Sequence, residues 1–91
     1  MPQARTIFET ADASQDRETL EARFPRFEEA WFGWTWRISR GPDWGYAVPG
    51  FANHYLFKSH PGFGNYGVPT TAIVYDLLDA HTVRITGVWL V

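Results

Sequence analysis

Cysteine is absent from this 91-residue chain, and no apolar run approaches the length of a membrane span. Without cysteine there is no disulfide framework, no thiolate nucleophile and no cysteine-based zinc site. The N-terminal stretch MPQARTIFETADASQDRE lacks the apolar core of a signal peptide. A soluble, cytoplasmic protein with no membrane attachment is the expectation.

Positive charge is also scarce. Eight Lys and Arg stand against ten Asp and Glu, for a net charge of −2 and a pI of about 5.8. Six of the basic residues lie before residue 41, interleaved with carboxylates, and only Lys58 and Arg84 follow. Nucleic-acid binders neutralise phosphates with a basic stripe. A strong, non-specific pull on DNA or RNA is therefore excluded, although a local basic patch is not.

What the chain has in quantity is aromatic surface. Five Trp, four Tyr and seven Phe, within 45% hydrophobic residues, are ample for a core and too apolar for a disordered segment. A length of 91 residues implies one domain.

The clearest periodicity is the stripe Leu20, Phe24, Phe27, Trp31, Trp34, Ile38, with steps of three and four that mark one helical face. Pro25 interrupts it, because an interior proline removes a hydrogen bond and clashes one turn back. The expectation is two helices, 15–24 and 25–40, with a tight corner between them, the second stopped by Gly41-Pro42. Asp12 to Gln15 supply capping residue types before the first.

Thr6 to Thr10 alternates as a first strand, and GPDWGYAVPG reads as an ordered loop. His54–His60, Thr70–Leu78 and Thr82–Val91 follow as strands, the last two joined by a turn at Asp79-Ala80-His81. The fold class is α+β: two N-terminal helices packed on a three- to four-stranded, mainly antiparallel sheet.

The glycine run GFGNYG, residues 62–67, has the spacing of a phosphate-binding loop. A dinucleotide fingerprint, however, needs a helix directly after it. Here Val68-Pro69 and a strand follow, so the run reads as a hairpin loop in which glycine supplies positive φ. No nucleotide or other cofactor is expected. His54 and His60 stand six strand positions apart, about 20 Å, too far to share a metal ion without a bend. Asp76 and Asp79 read as carboxylates that bond local backbone beside a turn.

Arg23-Phe24-Pro25-Arg26-Phe27, the aromatic helix, the loop GPDWGYAVPG and the final AIVYDLLDAHTVRITGVWLV together resemble the RelE/ParE superfamily of toxin–antitoxin toxins, over residues 5–91. The resemblance implies a small cytoplasmic toxin, either a ribosome-dependent mRNA endonuclease or a gyrase inhibitor, neutralised by an antitoxin. It implies a metal-free ribonuclease site built from basic, tyrosine or histidine side chains, acting on the ribose 2′-OH and the phosphate. Lys58, His60, Tyr75 and Arg84 are the candidate catalytic residues on that basis. The sequence departs from the family pattern at Ala72, where the strand motif carries an arginine, and in its acidic pI. The basic, aromatic tail of the pattern is not met by Val91.

Phe32 and Trp36 lie nearly opposite the main helical stripe. The first helix, a second copy of the chain or an antitoxin is expected to cover them. The alternative reading from another class is a non-catalytic relative that binds a protein, or a small apolar ligand between helix and sheet.

Overall fold

The computed structural model describes residues 4–60 and 67–91. Its elements in chain order are β1 (Thr6–Glu9), α1 (Ala11–Arg23), α2 (Phe27–Arg40), a 3-10 turn (Pro42–Trp44), β2 (Tyr46–Ala47), β3 (His54–Lys58), β4 (Thr71–Asp79) and β5 (Thr82–Leu90). The fold is α+β, with two helices on one face of a five-stranded mixed sheet of order β1-β5-β4-β3-β2.

Two strand-level expectations need correction. The loop GPDWGYAVPG contains a short strand, β2, whose Tyr46 and Ala47 pair with Leu56 and Tyr55. And β1 runs parallel to β5, with Ile7 opposite Val83, so the sheet is mixed; only the β2 to β5 portion is antiparallel. A pairing between residues so distant in sequence leaves no mark on local periodicity, which reports only which face of a strand is buried.

α1 begins earlier than the expected 15, because Thr10 caps it: its hydroxyl accepts a hydrogen bond from Ala13 N at 3.2 Å. It ends at Arg23, and residues 24–26 turn the corner around Pro25. Gly41 caps α2, donating its N–H to Arg37 O. Arg17 fastens the first three elements together. Its Nε lies 2.6 Å and 2.8 Å from the two Glu9 oxygens on β1, and Nη1 lies 2.7 Å from Glu21 Oε1. Its guanidinium also covers the Trp31 ring of α2 at 5.8 Å.

The apolar stripe of α2 is buried as the spacing predicts: Phe27, Trp31, Trp34 and Ile38 meet Phe57, Ile73, Tyr75, Val83, Ile85 and Val88 from the sheet. Phe27 stacks on Trp31 and meets Trp34 edge-on. Among the described residues, the opposite face of the sheet carries no helix. There Phe8, Tyr46 and Trp89 are exposed.

Asp79 behaves as a turn residue: its Oδ1 accepts from His81 N at 2.7 Å, and that bond holds its carboxyl below the usual range. Asp76 does not. It sits inside β4, is nearly buried, and pairs with Arg84 opposite it on β5. The run GFGNYG falls outside the described residues except for Gly67, which has φ of 78°.

Candidate functional site

The four candidate catalytic residues occupy different places. Tyr75 faces the helices and is fully buried, stacked on Tyr55 at 5.7 Å. Its hydroxyl donates to Pro42 O and accepts from Gly45 N at 3.2 Å. Burial pushes its phenol up to about 12. Tyr75 therefore pins the 3-10 turn and the start of β2 to the centre of the sheet. Gly45 is needed for that approach, since a Cβ there would lie 2.7 Å from the Tyr75 oxygen and 2.9 Å from Leu56 O.

Arg84 lies on the open face of the sheet. Its Nε and Nη2 reach the Asp76 oxygens at 3.0 Å and 2.6 Å, a two-pronged pairing that raises its pKa. His54 approaches the same carboxylate from β3, with Nε2 3.7 Å from Oδ2, while its Nδ1 lies 2.8 Å from Ala52 O. Lys58 sits opposite Ala72, four β4 positions from Asp76, or about 13 Å along the strand. His60 follows the end of β3 and is exposed. Lys58 and His60 are thus brought together, Arg84 is engaged elsewhere, and Tyr75 is on the other side of the sheet.

Lys58 and His60 belong to a groove that the aromatic residues build. β2 pairs only with Tyr55 and Leu56, so among the described residues the outer edge of β3 beyond Leu56 has no strand beside it. Between that edge, α2 and the 3-10 turn opens a cavity of about 620 Å³. Small-molecule sites commonly span about 300–1,000 Å³. Its wall is a continuous run of rings. Trp34 lies 6.0 Å from Phe57, and Phe57 stacks on Trp44 at 4.4 Å and 25°. Tyr46 and, from α2, Ala30 and Gly33 complete this part of the lining.

Charge at the rim is unbalanced. Arg37 Cζ lies over the Trp44 ring, 4.4 Å from its centroid, and among the described residues neither Arg37 nor Lys58 makes an ion pair. Glu29, on the same rim, is paired with Arg26 at 3.2 Å.

Gly33 is the unusual member. It lies within α2, where glycine costs about 1 kcal/mol relative to alanine. A Cβ placed on it would meet nothing within 4 Å, so no contact among the described residues calls for glycine there.

Sequence reasoning reached Lys58 and His60 but missed Gly33, Arg37, Trp44 and Tyr46. A mid-helix glycine with no capping position beside it is the signal that marks this place. The Asp76–Arg84 pair was not reachable by counting: the closing pair Asp79–Thr82 would set Asp76 opposite Ile85, and a register shift between Leu77 and Asp79 brings Arg84 there instead.

On the outer side of α2, Phe32 and Trp36 are 71% and 49% exposed. α1 does not cover them. Arg40 stacks over the Trp36 ring at 4.0 Å, so Phe32, Trp36 and Arg40 form an exposed ridge at four-residue spacing.

No protein-family model matches the chain, and neither a curated protein nor a solved structure matches it. Among the described residues no helix is long and apolar enough to cross a membrane.

Proposed function

We propose that the chain is a RelE/ParE-like domain that acts by binding another protein and not by cutting RNA. The order strand, two helices, then an antiparallel run of strands supports that family reading, as do the helices on a single sheet face. The observation that carries the binding role is the ridge of Phe32 and Trp36, two large aromatic side chains left exposed on a helix whose other face is fully used. Aromatic residues of this size form the energetic centres of protein interfaces. A second copy of the chain is the first partner to consider, and an antitoxin the next.

The arrangement of the basic residues supports the same conclusion. A metal-free ribonuclease needs a base, an acid and a phosphate clamp around one phosphodiester. Tyr75 is neutral and enclosed, and the Arg84 charge is compensated by Asp76.

The test is a reconstituted translation reaction with the mRNA mapped by primer extension. No cuts at micromolar protein are expected. Cuts at the ribosomal A site that disappear in Lys58→Ala/His60→Ala would instead establish a nuclease. In parallel, sedimentation equilibrium of the wild type and of Phe32→Ser/Trp36→Ser reads the ridge directly. Self-association lost in the variant supports the dimer, whereas a wild type monomeric at 100-micromolar order points to the antitoxin.

A further inference from the structure

The groove between α2 and the outer edge of β3 has three properties that converge on one kind of occupant. Its wall is aromatic, formed by Phe57 and Trp44, whose planes lie 25° apart, and by Trp34, tilted 53° from Phe57. Its rim carries the cationic side chains of Arg37 and Lys58, while Glu29 is occupied by Arg26. Its lining on α2 includes Gly33, an exposed position where a Cβ would meet nothing within 4 Å. We infer that the groove is a binding site for a small, flat aromatic molecule bearing one anionic group.

Each property has a physical reason. Rings stack in offset or edge-on geometry against rings, so a continuous aromatic wall favours a planar ligand over an aliphatic chain. A guanidinium held over an indole can still offer paired donors to an oxyanion, and the lysine adds a mobile second charge. Glycine in the lining lets a ligand lie against the helix backbone, which any side chain would prevent. Apolar enclosure with a few placed polar groups is the usual composition of a small-molecule pocket. The inference is independent of the protein-binding role, because the ridge of Phe32 and Trp36 lies on the outer side of α2 and is not part of the groove lining.

The probe is 2-naphthoate, titrated into the full chain and followed by tryptophan fluorescence and by the amide shifts of Ala30, Gly33 and Ser59. Saturable binding with Kd on the order of 100 µM is expected for a ligand of that size. 2-Naphthylmethanol, the neutral analogue, should bind about tenfold more weakly, as should 2-naphthoate to Arg37→Gln/Lys58→Gln. Gly33→Leu should abolish binding. Gly33→Ala should raise Tm by about 4 °C, since it gains helix propensity without a clash.

Absence of saturation up to about 5 mM would overturn the site at the affinity its lining implies. Equal binding of acid and alcohol would overturn the anionic class. Undiminished binding to Gly33→Leu, with its circular-dichroism melt intact, would overturn the location. A lowered Tm in Gly33→Ala would show that the glycine serves packing, removing the argument from Gly33.

Discussion

Tyr75 is the residue on which the loop after α2 depends. Its hydroxyl both gives and receives a hydrogen bond, to Pro42 and from Gly45, so removing it leaves a buried carbonyl and a backbone N–H without their partner. Tyr75→Phe should cost about 1–3 kcal/mol, the usual penalty for orphaning buried polar groups. The pH dependence has a definite sign. The folded phenol titrates near 12 and the unfolded one near 10, so the neutral form is favoured by folding. That stability is fully present below pH 10 and is lost as pH rises from 10 towards 12. Chemical denaturation of the wild type should show a steeper decline over that window than Tyr75→Phe. Parallel curves for the two proteins would place the alkaline sensitivity elsewhere.

At the scale of elements, Arg17 does for the helices what Tyr75 does for the loop. α1 buries only Ala13 and Leu20, so its own apolar face is a weak anchor. The guanidinium links it to β1 through Glu9 and to α2 through the Trp31 ring. Arg17→Met keeps the stem over Trp31 and removes the charge. It should destabilise by about 1–2 kcal/mol, because the pair is partly buried and Glu9 loses its counter-charge, keeping the Ser14 hydroxyl at 3.4 Å. Raising salt should shrink the difference only slightly, since a partly enclosed pair is poorly screened. Urea melts at low and high ionic strength check both statements.

The two helices were legible in the sequence for the same reason that they pack. A stripe at 3.6-residue period is both the signal and the cause of burial, and Pro25 is both the interruption and the corner. The β4–β5 hairpin was legible from its β-branched residues and its turn. β2 was not, since two residues are too short to carry a period and their strand character comes from β3 beside them. The groove was half legible: Lys58 and His60 came from adjacent sequence. Their aromatic neighbours come from α2 and the 3-10 turn, and only the fold brings these to the same edge.

At the scale of the whole molecule, the sheet has a firm middle and two thin margins. β4 and β5, of nine residues each, form a hairpin at its centre, whereas β1 has four residues and β2 has two. Native-state hydrogen exchange should therefore find the slowest amides in β5 and β4, around Ile73, Tyr75 and Ile85, and the fastest in β2 and the 3-10 turn. Uniform protection across the sheet would contradict this grading.

The parallel seat of β1 against β5 also orders events in time. β5 is the last described strand to be synthesised, yet it lies between β1 and β4. During synthesis, the first strand waits for a neighbour that does not yet exist. The tryptophan-rich face of α2 waits with it, because the hairpin that will shelter it is made after it. Until then the nascent polypeptide carries its most adhesive surface uncovered, and completion of β5 closes the sheet and hides that surface in one late step.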